Sequence, residues 1–274
     1  MTIEYVPPTR EELRAKYDKF TEQGFLVIPR LAQYDAGYLR SLISMVFSLP
    51  YNGSRDLDLA ARDLFENHFD TFLGCCHAAQ RLPALYRFFC TSIPIQLQEL
   101  GLKFPNINTQ PLLHFSSRHV AKNEHHWRVG AHQDWPSNQG SLNGVTVWVP
   151  LMSVTTELGA LQVIPGSHKR GALRHHNGGV PLLDFPPQDG WIDLPMQEGD
   201  VLIMSSFLIH RSGENVTDRI RLSAACRFND LTEPSYIERG FPNPPPLAQR
   251  HLGSLWPDAD ELKVALERHP YHVD

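Results

Sequence analysis

From about residue 110 onward the chain breaks into short β-branched runs: Val145 to Val149, Leu161 to Ile164, Val201 to Met204 and Ile220 to Phe228. Gly, Pro, Asn and Asp turns separate them, and that pattern is the signature of an antiparallel sandwich or barrel. The preceding stretch is helical in texture. Thr9 and Glu12 form a capping-box pattern ahead of Leu13, Tyr17 and Phe20 at helical spacing, and Gly24 closes that helix. Phe25 to Ile28 is a short β-prone run. Asp35 to Phe47 returns to helix with Tyr38, Leu39, Leu42, Ile43, Val46 and Phe47 along one stripe. Residues 57 to 100 read as mainly helical, with Pro83 a start and Pro94 a break. A chain of 274 residues with 42% hydrophobic content can bury one substantial core. The simplest expectation is a single domain over 1–274: helix-rich to about 105, strand-rich over 110–230, and a C-terminal extension over 231–274. That extension carries a Pro cluster, Phe241 to Pro246, suited to an extended surface crossing, and a closing helix around Asp258 to Arg268.

A formal charge of -5 argues against a nucleic-acid or anionic-membrane partner and favours a small-molecule substrate. Cys75, Cys76, Cys90 and Cys226 show no paired or metal-type spacing, and read as buried thiols of a reducing compartment. The first residues lack a basic and then apolar leader, and no apolar run approaches the ~20 residues of a membrane span. A cytoplasmic location is expected.

Chemistry concentrates in the strand-rich half. His132-Gln133-Asp134 sets an imidazole and a carboxylate two residues apart, which on an extended segment or its frayed end project to the same side. The same pattern at His68-Phe69-Asp70 falls in helical texture, and at His272-Val273-Asp274 it falls at the chain end. A second signal is Gly199 to Met204 followed by Phe207 to His210, read as a turn opening an apolar strand that ends on His210. Two histidines and one carboxylate with open positions are the ligand set suited to non-haem iron(II). A third signal is Arg219 to Cys226, whose period of two puts Arg219, Arg221 and Ser223 on one face. The turn residues 212–218 predict that this strand folds back antiparallel beside the one carrying His210. Arg221 with Ser223 would then offer a planar fork and a hydroxyl to the distal carboxylate of a dicarboxylate.

His125-His126, His168 and His175-His176 read as surface or structural. His114, Ser116 and Arg118 share one strand face and are weaker candidates for substrate or cosubstrate contact. Trp127 and Trp135 flank the His132 pair and could wall a pocket.

These residues resemble the phytanoyl-CoA dioxygenase family of iron(II)/2-oxoglutarate oxygenases. The resemblance rests on His132-Gln133-Asp134, on Leu161 to Lys169 (LQVIPGSHK), on Gly199-Asp200-Val201, and on His210 followed eleven residues later by Arg221. It implies a double-stranded β-helix, a cupin-like jelly roll, mainly β with a helical buttress. It implies Fe(II) on His132, Asp134 and His210, and 2-oxoglutarate on Arg221, with Trp148 directed at the cosubstrate. It further implies O2-dependent decarboxylation of 2-oxoglutarate to succinate and CO2, coupled to hydroxylation of a metabolite. Retention of Asp134 disfavours halogenation. No basic cluster suits coenzyme A phosphates, so a small polar metabolite or secondary-metabolite intermediate is preferred. Two rival classes are a non-redox, metal-dependent jelly-roll isomerase or epimerase, and a non-catalytic ligand-binding jelly roll; neither would release succinate.

Overall fold

The computed structural model describes residues 9–52, 56–121, 128–176, 182–242 and 264. Helix α1 (Arg10–Gln23) starts on the capping box of Thr9 and Glu12 and stops at Gly24, whose φ of 78° places it in the left-handed region. Strand β1 (Phe25–Ile28) follows, then α2 (Gln33–Ser48), α3 (Leu57–Asn67), α4 (Phe69–Gln80), α5 (Pro83–Cys90) and α6 (Ser92–Glu99). Pro83 opens α5 as expected. Pro94 does not break a helix: it lies in the first turn of α6, where its missing N–H has no intrahelical acceptor to lose, and the break falls at Thr91. His68 joins α3 to α4 and is not inside a helix.

The strands are β2 (Pro105–Ile107), β3 (Leu112–Ser116), β4 (Val145–Pro150), β5 (Leu161–Val163), β6 (His175–His176), β7 (Leu182–Leu183), β8 (Ile192–Leu194), β9 (Val201–Ser205), β10 (His210–Ser212) and β11 (Arg221–Asp230), before a short helix α7 (Pro234–Glu238). The main sheet runs β1-β9-β4-β11-β2, with β3 also paired to β11, and every pairing is antiparallel. The second sheet runs β10-β5-β8. His132 extends it by bridging both His210 and Leu182, which brings in the β6-β7 pair. Two facing antiparallel sheets with helices against one of them make a jelly roll.

The main sheet is buried on both sides, which is why its strands look uniformly apolar in sequence. Val145, Val147 and Val149 of β4, Val201 and Ile203 of β9, and Leu222, Ala224, Cys226 and Phe228 of β11 pack on the helices. The alternate residues Trp148, Leu202, Met204 and Ala225 face the second sheet, against Leu161, Val163 and Leu208.

Two expectations about connectivity are corrected. The apolar run 201–210 is not one strand: β9 ends at Ser205, and Ser206 to Ile209 carry the chain across to the second sheet. The corner is held by Leu208 N–H to Ser205 C=O and Ser206 N–H to Gly144 C=O. Nor does the strand bearing Arg221 lie beside the one bearing His210. The link after Ser212 crosses back to the main sheet, with Asn215 Nδ2 donating to the carbonyls of Ser116 and Arg219, so β10 and β11 belong to opposite layers. Arg219 precedes the strand, is exposed, and lies 3.7 Å from Asp58. Arg118 likewise leaves the β3 face for a 3-10 turn.

Cys75 and Cys226 are buried and Cys76 half-buried, whereas Cys90, at the exposed end of α5, departs from the expected burial; all four are free thiols. No helix among the described residues is long and apolar enough to cross a membrane. His125, His126, Trp127, the expected helix at 258–268 apart from Val264, and most of the Pro cluster lie outside the described residues.

His168 is structural. Its ring lies against Gly24, where an added Cβ would fall 2.3 Å from Nδ1. Nε2 meets the Thr21 carbonyl at 3.0 Å, while buried Nδ1 has no partner among the described residues. Burial holds its pKa down to about 4, against the smaller opposing pull of the Thr21 carbonyl. An unfolded histidine titrates near 6.5, so on acidification the unfolded chain takes the proton first. The stabilisation is present above that value and is lost as pH falls toward 4. Melting temperature should therefore drop between neutrality and about pH 5, and His168→Gln should flatten that dependence; an unchanged slope would contradict this role.

Candidate metal centre

The three expected ligands converge between the sheets. Candidate ligand atoms of His132, Asp134 and His210 lie within 4.8 Å of one another, and all three residues are buried. His132 and His210 pair across the second sheet by reciprocal N–H to C=O bonds of 3.0 Å, with ring centroids 4.1 Å apart. Each histidine is oriented in the same way. Nδ1 of His132 meets the Gly130 carbonyl at 2.8 Å, and Nδ1 of His210 meets the Leu208 carbonyl at 3.0 Å. A carbonyl only accepts, so Nδ1 carries the proton and the Nε2 lone pair is left for a metal. Burial foremost, then the neighbouring His210, holds the His132 pKa down to about 3, so its ring is neutral at physiological pH.

Asp134 does not continue an extended strand. It opens a helical turn at Trp135–Asn138, and the intervening Gln133 points away and pins the segment. Its Nε2 donates to the carbonyls of Gly171 and Phe207, and its Oε1 accepts from Leu173 N–H. Burial opposes ionisation of Asp134, but Arg227 and the two histidines outweigh it and hold the carboxyl well below the usual range. Arg227, unremarked in the sequence, contacts Oδ1 through Nη2 at 2.7 Å and Nε at 3.2 Å, while the Thr146 hydroxyl donates to Oδ2 at 2.6 Å.

The triad opens on a cavity of about 70 Å³ also lined by His114, Trp148, Met204, Ser212, Arg221, Ala225 and Arg227. Arg221 is buried; its Nη1 donates to the Gly159 carbonyl and its Nε has no partner among the described residues. Burial alone lowers its pKa, to about 10, and no carboxylate pairs with it among the described residues. Ser223 is buried, its hydroxyl has no partner among the described residues, and it does not line this cavity. Ser212, two residues after His210 on the same strand face, does. His114 lines the cavity, whereas Trp135 is fully buried and stacks on Phe207 outside the cavity lining. A larger cleft of about 310 Å³ adjoins, walled by Phe65, Phe69, Phe72 and Leu73, and shares His114, Val129, Ser212 and Arg221 with the first.

Comparison with known proteins agrees with this architecture. The chain is 33% identical over 103 residues to methylphosphonate hydroxylase of Gimesia maris, covering 38% of this chain and 40% of that protein. It is 32% identical over 110 residues to 1-deoxypentalenic acid 11-beta-hydroxylase of Streptomyces exfoliatus, covering 35% and 38%. The match therefore spans about two fifths of the length of these curated relatives. Among solved structures, AviO1 of Streptomyces viridochromogenes shares the fold at a TM-score of 0.51 and 16% identity, covering 86% of this chain and 100% of that one. The epimerase SnoN, solved with Fe3+, alpha ketoglutarate and nogalamycin RO, shares it at 0.51 and 18%, covering 82% and 86%. The profile described as Phytanoyl-CoA dioxygenase (PhyH) matches residues 51–223, more than half of the sequence, and the chain belongs to that family.

Proposed function

We propose that this chain is an Fe(II)/2-oxoglutarate-dependent dioxygenase that hydroxylates a small-molecule metabolite, as a single domain in a reducing, cytoplasmic setting. The observation that carries this reading is Arg221: a buried guanidinium, facing the triad cavity, without an acid partner among the described residues. A buried charge is costly unless compensated, so the site calls for an anion that the described residues do not supply.

In this reading His132, Asp134 and His210 hold the iron. The donor set fits: two neutral imidazoles with free Nε2 and one buried carboxylate form the two-histidine, one-carboxylate arrangement that leaves positions open. Iron and 2-oxoglutarate, when bound, supply O2-dependent oxidation of the substrate with release of succinate and CO2. The chain's own residues bind, orient and exclude water. Arg221 and Ser212 receive the distal carboxylate of 2-oxoglutarate, Trp148 walls the cosubstrate, and Gly130, Leu208 and Gln133 fix the ligands before anything binds. Ser223, the expected partner of Arg221, then supports the strand from a neighbouring position.

Anaerobic protein given Fe(II) and 2-oxoglutarate should develop the weak visible charge-transfer band of a chelated oxo-acid. No band at saturating ligand would count against the assignment.

A further inference from the structure

We infer that Arg227 is a binding residue for the molecule being oxidised, and that this molecule carries an oxyanion, most simply a carboxylate. The inference rests on the reading above. Arg221, Ser223, Ala225 and Arg227 occupy one face of β11, so the strand presents two guanidiniums to one small cavity, against the single carboxylate of Asp134. Nδ1 of His132 and Nδ1 of His210 each hold their proton on a backbone carbonyl and leave Nε2 as a neutral donor, so neither ligand ring adds charge to the site.

Before loading, Arg227 and Asp134 offset each other and Arg221 stands alone. Loading adds a dication and a dianion, which cancel, and Arg221 is taken up by the dianion. One positive charge is left over, and it belongs to Arg227. A guanidinium beside a metal dication is also repelled by it, and Asp134 is then shared between the two. Holding Asp134 in place does not by itself require a cation, because the Thr146 hydroxyl already does this at Oδ2. Nε and Nη2 of Arg227 are used on Asp134, while Nη1 meets no protein acceptor among the described residues. The side chain retains 19% exposure, so it is reachable from the cavity. A singly charged carboxylate restores neutrality and accepts from the free Nη1. This narrows the preference for a small polar metabolite or secondary-metabolite intermediate to one that carries an acid group.

The test uses protein loaded with Mn(II) in place of iron, so that no turnover occurs. 2-Oxoglutarate is titrated first, followed by matched acids and primary amides: acetate and acetamide, cyclohexanecarboxylate and its amide, benzoate and benzamide. Calorimetry should show acids bound about tenfold or more tightly than the amides of the same skeleton, the scale of a charge-assisted hydrogen bond. Arg227→Met should erase that preference, and Arg227→Lys, which keeps the charge but not the fork, should retain part of it. Equal binding of acids and amides, no binding of either, or an acid preference that survives Arg227→Met would overturn the inference while leaving the oxygenase reading intact. Failure of 2-oxoglutarate to bind the Mn(II) protein would overturn both.

Discussion

Asp134→Ala should remove succinate release and at the same time lower the stability of the metal-free protein. Loss of turnover follows from the donor set, because two imidazoles alone lack the anionic ligand that completes the centre. Loss of stability follows from the ion pair between Arg227 Nη2 and Asp134 Oδ1 at 2.7 Å, in which both side chains are largely buried. Breaking a buried pair by deleting one partner leaves the other charge uncompensated, a cost of about 3 kcal/mol, at the low end of the usual range because Arg227 keeps some solvent contact. The two effects separate in the double variant Asp134→Ala/Arg227→Met, which should recover most of the stability and none of the turnover. Chemical denaturation and a succinate assay read the two quantities independently. A single variant that loses turnover at unchanged stability would show that the ion pair contributes little, and one that keeps turnover would remove Asp134 from the centre.

Arg221→Ala should raise the 2-oxoglutarate requirement by roughly ten- to a hundredfold, the equivalent of about 1.5–3 kcal/mol for hydrogen bonds to a charged group. Ser212→Ala, at the cavity wall, should raise it less, and Ser223→Ala, outside the wall, should leave it near the parent value. The buried guanidinium, which has no acid partner among the described residues, adds a second signature. Its desolvation is uncompensated in the ligand-free protein, so Arg221→Met, which keeps the volume and drops the charge, should not lower the melting temperature and should raise it if packing is preserved. A normal 2-oxoglutarate requirement in Arg221→Ala would refute the assignment.

Much of this architecture was legible from local signals. The Thr9 capping box, the Gly24 stop and the β-branched runs are patterns whose physical cause lies within a few residues, and each became the element expected of it. The convergence of His132, Asp134 and His210 was legible from residue type and short spacing, although Asp134 reaches the site from the head of a helical turn and not from an extended strand. What escaped is non-local. Phe207, Leu208 and Ile209 resume the apolar run of β9 after only Ser205 and Ser206, yet the chain changes sheets there, and hydropathy carries no sign of which layer an apolar residue fills. The tie from Asn215 to Ser116, which sends β11 to the opposite layer, joins residues 99 apart in sequence. Arg227 looked like any charged residue at a strand position, because its partner Asp134 lies 93 residues away. Ser223 was singled out because it shares a strand face with Arg221, and Ser212 was read as turn; the cavity lining includes Ser212 and not Ser223.

The most direct test is an anaerobic crystal structure with Fe(II) and 2-oxoglutarate. It should place one iron about 2.0–2.2 Å from Nε2 of His132, Nε2 of His210 and a carboxylate oxygen of Asp134, with the distal carboxylate of the oxo-acid on the Arg221 guanidinium. Iron held elsewhere, those three side chains turned apart, or the oxo-acid bound away from Arg221 would contradict the account.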